Sequence, residues 1–205
     1  DRSVSRGLGD VYKRQRMYSL NPSNGKIKQL QAKEDVISDY SIANQAFEMV
    51  YFGLSASNSQ RLYTYNLKND ASSCLIDLSK EILRDVTLGE VQDWNFVSAQ
   101  GDTIYGRFYL PPHFDATKKY PMIVNYYGGT TPTARVMESR YPSHVYAGLG
   151  YIVYIIQPSG ATGFGQEFSA RHVNAWGKLT ADEIIEGTKK FCEEHPFCLL
   201  YTSDA

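Results

Sequence analysis

Tyr127 is a side chain whose position in the sequence would allow it to take part in a reaction. It closes the apolar run at residues 122–127 and is followed directly by Gly128 and Gly129. A phenol at the carboxyl end of a strand, beside glycines that allow close approach, can point into a crevice and donate a hydrogen bond there. From the residues alone, the simpler interpretation is a tyrosine that packs into the core at the strand end. Tyr126 competes for the same role, but the alternation of side chains along a strand turns it toward the other side of the sheet.

The histidines and the glycine-rich stretch of the chain are weaker candidates. His113, His144, His172 and His195 are scattered, with no pair at ligand spacing on one face, so we expect no metal site. The stretch GATGFG at residues 160–165 lacks the lysine of a phosphate-binding loop and the full dinucleotide fingerprint. We therefore expect a turn there and no cofactor.

Adjacent acidic residues and the two tryptophans also have simpler explanations than catalysis. Asp182 and Glu183 are neighbours on a predicted helix, so their carboxylates point in different directions. We expect them to complement the dipole at the start of that helix rather than to share a proton. Trp94 and Trp176 are expected to be packing residues.

Composition predicts a globular protein and argues against some partners. Hydrophobic residues make up 42% of the chain, and 21 Lys and Arg balance 22 Asp and Glu. Near-zero net charge without a basic run argues against nucleic acid as a partner. No apolar run reaches the length of a membrane span. The three cysteines do not form a disulfide framework, and Cys74 and Cys192 are expected to be small buried residues.

Two short apolar runs predict the centre of a parallel sheet. Residues 122–127 lie between Pro121 and Gly128, and residues 151–157 (YIVYIIQ) follow Gly150. Such runs are too short for helices and are typical of buried central strands. The connection between them has room for a helix at residues 142–149, which Gly150 would close. Two strands joined through a helix indicate a parallel pair.

A longer helix is predicted over residues 180–194. Thr180 and Glu183 have the spacing of a capping box, and Leu179 with Ile184 has that of a hydrophobic staple. We therefore expect the helix to begin at Thr180. The residues expected to pack on the sheet share one helical stripe and are Ala181, Ile184, Ile185, Thr188, Phe191 and Cys192.

The sequence before residue 90 has a different pattern, which predicts short strands and turns and no long helix. Strands are expected at residues 17–20, 26–30, 39–44, 47–54, 61–67 and 75–78, with one helical turn at 79–84. Their even spacing fits a β-sandwich or the blades of a β-propeller, and the pattern does not separate the two. A hairpin is expected next, from residues 93–98 to 103–110.

The two ends of the sequence have a relationship that suggests they are not native protein. One DNA that encodes DVYKRQ (residues 10–15) encodes CLLYTS (residues 198–203) on its opposite strand. That DNA also resembles a transposon-end adapter used in sequencing libraries. The alternative is a natural basic tail and a natural C-terminus. We expect residues 1–15 and 198–205 to be adapter-like artefacts and residues 16–197 to be an internal fragment of a longer gene.

Three segments carry a resemblance to a known family. They are LPPHFDATKKYPMIVNYYGG (residues 110–129), GLGYIVYIIQPSGATGFGQEF (148–168) and WGKLTADEIIEG (176–187). Together they resemble the start of the catalytic domain of the prolyl oligopeptidase family of serine peptidases, especially its dipeptidyl peptidase IV-like branch. The resemblance implies the end of a β-propeller at residues 16–90 and the start of an α/β-hydrolase peptidase domain at 91–197. It is specific only from about Tyr109 onward.

The family's chemistry is implied for the parent protein rather than for this fragment. Such peptidases use a serine nucleophile on a G-x-S-x-G elbow, a histidine base and an aspartate, and the sequence contains no such elbow. We therefore expect this fragment to be inactive. The resemblance gives Tyr127 the role of an oxyanion-hole hydroxyl. At Ser159-Gly160 the chain departs from the Arg-Gly pair that is common in the family.

Three functions remain open on this resemblance. The first is a serine peptidase that removes dipeptides or cleaves short peptides through an acyl-enzyme. The others are a non-catalytic propeller and hydrolase scaffold that binds peptides or carbohydrates, and an esterase on the same fold. The resemblance further implies a peptide substrate, a homodimeric parent and an exported enzyme, periplasmic or secreted.

Overall fold

The computed structural model of the chain describes residues 3–6, 16–175 and 177–199. Most of the two adapter-like ends, as well as Trp176, therefore lie outside the described residues. The chain divides into two compact units. The first contains the described residues up to Val86 together with Val136–Glu138, and the second contains Thr87–Arg135 and the described residues from Ser139 onward.

The first unit is built from two antiparallel sheets. The three-stranded sheet has the order β1-β2-β3, and the four-stranded sheet is a meander in the order β4-β5-β6-β7. The one-turn helix α1 (Ser79–Ile82) follows, at the predicted place. The strands are β1 (Ser3–Arg6), β2 (Met17–Leu20), β3 (Ile27–Gln29), β4 (Val36–Ile42), β5 (Glu48–Leu54), β6 (Arg61–Asn66) and β7 (Ala71–Asp77).

Strand β7 differs from its prediction in two respects. It begins four residues early because Asp70, with φ of 60°, completes a tight turn in which its N–H donates to the carbonyl of Asn66 (3.0 Å). It is also the last strand of its sheet, with most of its residues exposed. Cys74 lies on it and is exposed, so the prediction of a buried cysteine is wrong at this position.

Tyrosines form much of the core of the first unit. Tyr51 and Tyr63 stack with ring centroids 5.1 Å apart, and Tyr51 meets Tyr65 edge to face. The hydroxyl of Tyr63 donates to the Glu34 carboxylate, which also pairs with Arg61 (3.1 Å). Alternation along the strands places these rings on one face, which explains why a tyrosine-rich sequence suits this unit.

The second unit is organised on one mixed sheet. Its order is β13-β11-β12-β10-β8, with β9 paired to β10. Strands β11, β12 and β13 are parallel, as predicted for the first two, and β10 runs antiparallel to β12. The strands are β8 (Val91–Asp93), β9 (Phe96–Val97), β10 (Thr103–Tyr109), β11 (Tyr120–Asn125), β12 (Ile152–Gln157) and β13 (Cys198–Leu199).

Strand β12 is the centre of this sheet, and all six of its residues are buried. The helices of this unit are α2 (Ser143–Gly148), α3 (Gln166–Ala170) and α4 (Lys178–Glu194). Helix α4 packs on the sheet through Phe191, whose ring stacks on that of Tyr154 with centroids 4.9 Å apart. Within the described part of the chain, no helix is both long and apolar enough to cross a membrane.

The prediction for α4 was right about the helix and wrong about its beginning. The helix starts two residues early, after Gly177 with φ of 96°, and no side chain caps it. Thr180 is therefore inside the helix, and no capping box forms. The buried face is also rotated: Glu183 and Gly187 are buried, whereas Ile185 is 53% exposed. The reason is that Glu183 turns inward to a backbone N–H and Gly187 lets the helix approach the sheet closely.

Candidate active site

Tyr127 lies just beyond the carboxyl end of β11. The strand ends at Asn125, so Tyr126 and Tyr127 both belong to the following loop, where they are 51% and 54% exposed. The side chain of Tyr127 is thus half exposed in this structure and is not part of its core, and its catalytic role stays a prediction. The predicted opposition of Tyr126 and Tyr127 rested on strand alternation, and neither residue lies within the strand.

The two glycines after Tyr127 have different surroundings. A Cβ built on Gly129 would meet Cε1 of Tyr127 at 2.7 Å, so the ring lies against the backbone of Gly129. A Cβ on Gly128 would meet nothing within 4 Å. The first glycine leaves open space, and the second supports the tyrosine ring.

The loop that carries Tyr127 is tied to the loop that follows β12. The carbonyl of Thr130 accepts hydrogen bonds from the N–H (2.8 Å) and the hydroxyl (3.1 Å) of Thr162. Thr162 lies in the stretch at residues 160–165, which forms turns, as predicted. Gly160 has φ of 95°, and a Cβ there would meet the side chain of His172 at 2.8 Å, so this position requires glycine.

A second tie is made by Gln157, the last residue of β12. Its Oε1 accepts a hydrogen bond from the N–H of Thr133 (2.9 Å), and its Nε2 donates to the carbonyl of Thr133 (2.7 Å). Gln157 is only 1% exposed. The sequence analysis did not single out this glutamine, although a polar residue that closes the apolar run YIVYIIQ was the available signal.

The end of the same loop, at Arg135, is held by an ion pair with Asp93. One carboxylate oxygen of Asp93 accepts from Nε of Arg107 (2.7 Å) and from Nη2 of Arg135 (2.7 Å). Arg135 also reaches the carbonyl of Gly106 (3.4 Å). Both guanidinium groups are buried, so the shared carboxylate offsets part of the cost of removing two cations from water. No local pattern predicted this cluster, because Asp93 and Arg135 are far apart in sequence.

At the departure from the family pattern, Ser159 bonds to α4 through its backbone. Its N–H donates to Oε2 of Glu183 (2.7 Å), and Glu183 is buried. Burial raises the pKa of the Glu183 carboxyl above its ordinary value, the hydrogen bonds from Ser159 lower it, and the charges of Asp102 and Glu186 raise it further.

The neighbouring acidic residues therefore behave differently. Asp182 is exposed and pairs with Lys178 (2.9 Å). The two carboxylates point apart, as predicted. The dipole prediction was wrong for Glu183, because its carboxylate is buried and bonds to the loop after β12.

Three of the four histidines have packing neighbours in different parts of the second unit. His195 stacks on Phe191 with centroids 4.1 Å apart, His144 meets Tyr109 edge to face, and His172 lies against Gly160. Across residues 16–175 and 177–199, no three His, Cys, Asp or Glu side chains are grouped so that they could hold a metal ion.

Trp94 is a packing residue, as predicted. Its ring contacts those of Phe96, Tyr154 and Phe191, and its Nε1 donates to Glu194 (2.8 Å). The indole therefore joins β9, β12 and α4, and it takes no part in the candidate site.

Comparison with known proteins shows that the chain is similar to peptidases. Residues 138–199 match the model of the prolyl oligopeptidase family. The chain is 28% identical over 179 residues to dipeptidyl-peptidase 5 of Porphyromonas gingivalis, which covers 87% of the chain and 26% of that protein. It is 31% identical over 106 residues to a probable dipeptidyl-peptidase 5 of Aspergillus terreus, covering 51% of the chain and 14% of that protein.

A solved structure shows the same fold over nearly the whole chain. The acylaminoacyl peptidase of Pyrococcus horikoshii has a TM-score of 0.77 at 18% identity and covers 97% of this chain and 32% of its own. The predicted fold class, the C-terminal blades of a β-propeller followed by the first part of an α/β-hydrolase domain, is thereby confirmed. The chain spans about a third or less of the length of each of these proteins. The predicted resemblance to the prolyl oligopeptidase family is confirmed as well.

Proposed function

We propose that this chain is part of a serine peptidase that hydrolyses short peptides or removes dipeptides, and that Tyr127 supplies an oxyanion-hole hydroxyl. The observation that carries the proposal is the place of Tyr127. It is half exposed at the carboxyl end of β11, in a chain whose relatives named above are peptidases. Ligands of open α/β sheets bind outside the carboxyl ends of the strands, which supports a substrate site there.

The proposed step is stabilisation of developing charge. When a nucleophilic serine attacks the peptide carbonyl, the carbonyl oxygen becomes an oxyanion, and a fixed O–H donor stabilises it more than it stabilises the ground state. Tyr127 would be that donor. No G-x-S-x-G elbow occurs in the sequence. The serine, histidine and aspartate would then come from a further part of the same polypeptide, and this chain alone would hydrolyse nothing.

Substitution of Tyr127 by Phe in the full-length peptidase tests the proposal. The change removes the hydroxyl and keeps the ring, so kcat on a peptide amide should fall by roughly 10²- to 10³-fold with little change in KM. Tyr126→Phe is the matched control, since Tyr126 is equally exposed and adjacent. Its kcat should stay near the wild-type value. Full kcat in Tyr127→Phe would refute the oxyanion role.

The other two functions have less support. The relatives named above carry peptidase names, which does not favour a non-catalytic scaffold or an esterase. Peptide hydrolysis by the full-length protein, lost on reaction with a serine-directed phosphonate, would exclude the scaffold. Hydrolysis of esters without any hydrolysis of peptides would support the esterase instead.

A further inference from the structure

We infer that Gln157 is a positioning residue for Tyr127, because its buried amide holds the loop after β11 and thereby fixes where the tyrosine hydroxyl lies. The inference rests on the proposed function of Tyr127. It assigns to Gln157 no contact with substrate, only the placement of the group that makes one.

The register of the sheet shows that Gln157 lies at a position of β12 where the neighbouring strand β11 has already ended. Asn125 of β11 lies beside Ile155 of β12. If β11 continued for two more residues, Tyr127 would lie beside Gln157. The strand ends at Asn125 instead, while on its other side Gln157 is still paired with Tyr105 of β10. Strand β12 thus loses its β11 neighbour at the position where Tyr127 leaves the sheet.

The amide of Gln157 fills that place with a two-point contact. It accepts from the N–H of Thr133 (2.9 Å) and donates to the carbonyl of the same residue (2.7 Å). This is the pattern by which two strands exchange backbone hydrogen bonds. Only an amide side chain offers a neutral donor and acceptor side by side in this way. Burial of Gln157 keeps water from competing for either bond.

The contact reaches Tyr127 through a short, restrained segment. Five residues separate Tyr127 from Thr133, and between them the carbonyl of Thr130 accepts hydrogen bonds from Thr162. The ring of Tyr127 lies on the backbone of Gly129, within this same segment. A shift of Thr133 therefore moves the surface on which the ring rests. Misplacement of a catalytic group by about 1 Å can cost up to about 10²-fold in rate, so a small shift is sufficient.

A double-mutant cycle in the full-length peptidase tests the inference. Gln157→Met removes both hydrogen bonds at similar volume, and Gln157→Asn keeps the amide but is one methylene too short to reach Thr133. Each should lower kcat on a peptide amide by about tenfold, with KM changed less than about twofold. In the Tyr127→Phe background, where no hydroxyl remains to be positioned, the same changes should lower kcat less than about twofold. Gln92→Met, at an exposed glutamine of β8, is the control and should leave kcat unchanged.

The outcomes separate this inference from the proposed function. An equal fall of kcat in both backgrounds means that Gln157 acts only on stability, which overturns the inference and leaves Tyr127 untouched. Full activity of Tyr127→Phe overturns the proposed function itself. Amide hydrogen exchange can be measured on the wild-type protein, so this test does not depend on the folding of a variant. The N–H of Thr133 should exchange slowly. Rapid exchange at Thr133 would also overturn the inference, because the hydrogen bonds between Gln157 and Thr133 would then be broken in solution.

Discussion

The ring of Tyr127 rests on the backbone of Gly129 so closely that a methyl group on Gly129 would come within 2.7 Å of its Cε1 atom. A methyl group on Gly128, one residue earlier, would meet nothing within 4 Å. The pair of glycines therefore has one member that shapes the candidate site and one that only borders it. Because of this difference, alanine substitutions at the two positions can be compared directly.

Under the proposed role of Tyr127, Gly129→Ala should lower the activity of the full-length protein without unfolding it. The new methyl group would displace the tyrosine ring, because the ring is exposed and can move more easily than the backbone. We expect kcat on a peptide amide to fall by roughly tenfold or more, since the hydroxyl would no longer face the developing charge. Steady-state kinetics and Tm measure the two effects separately.

Gly128→Ala is the control for that change. Nothing lies within 4 Å of its new methyl group, so kcat should stay within about twofold of wild type. Equal losses in the two variants would mean that chain flexibility, rather than the position of the Tyr127 ring, limits the rate.

Glu183→Gln should change the pH dependence of stability in a defined direction. Burial raises the folded-state pKa of Glu183, so between its unfolded pKa and the raised value the unfolded chain loses the proton and the folded chain keeps it. The wild-type protein therefore loses stability as pH rises through that range, whereas glutamine cannot ionise. Relative to wild type, the variant should become more stable as pH rises above the ordinary pKa of a glutamate. Urea denaturation across that range measures the difference.

Glu186, one turn further along α4, provides a control of opposite sign. Its bonds to Lys190 (2.8 Å) and to the N–H of Ala99 (3.0 Å) hold the pKa of its carboxyl below the ordinary value. Its contribution is present above the unfolded pKa and is lost as pH falls. Glu186→Gln should therefore cost more stability at pH 7 than at pH 4. The same slope in both variants would show that the environments of the two carboxylates do not differ as the structure indicates.

Local patterns were sufficient for much of this fold. The apolar run at residues 151–157 predicted β12, and Gly150, with φ of 94°, ends the helix before it as expected. Such features depend on a residue and its near neighbours, so a sequence displays them directly. Tyr127 was singled out by the family resemblance, with the glycines beside it in agreement, and its role stays a prediction.

What sequence reasoning missed depends on partners that are distant along the chain. The start of α4 looked like a capping box, but Glu183 is committed to Ser159, 24 positions earlier. Gln157 and Thr133 are likewise 24 positions apart, and no spacing rule joins an amide at a strand end to a loop before the previous helix. The same holds for Asp93 and Arg135, 42 positions apart. These contacts arise only once the sheet order is fixed.

Gly187 in α4 sets two opposing effects against each other. In a helix interior, replacing glycine by alanine stabilises the helix by about 1 kcal/mol. Here the new Cβ would lie 2.5 Å from Cε1 of Phe96 and 2.9 Å from Cδ1 of Ile156, both buried in the core. Overpacking of this kind costs about 1–3 kcal/mol. We expect the packing cost to win, with a net loss of about 1 kcal/mol for Gly187→Ala in urea denaturation.

Gly148 at the end of α2 tests the helix propensity of alanine without the packing cost, because a Cβ there would meet nothing within 4 Å. Gly148→Ala should be neutral or stabilising by up to about 1 kcal/mol. Phe96→Leu supplies the matching test of the steric cause, since it removes the ring atom nearest to the new methyl group. Combined with Gly187→Ala, it should cost less than the sum of the two single changes. Strict additivity, or a stabilising Gly187→Ala, would show that α4 does not lie as close to Phe96 as the structure places it.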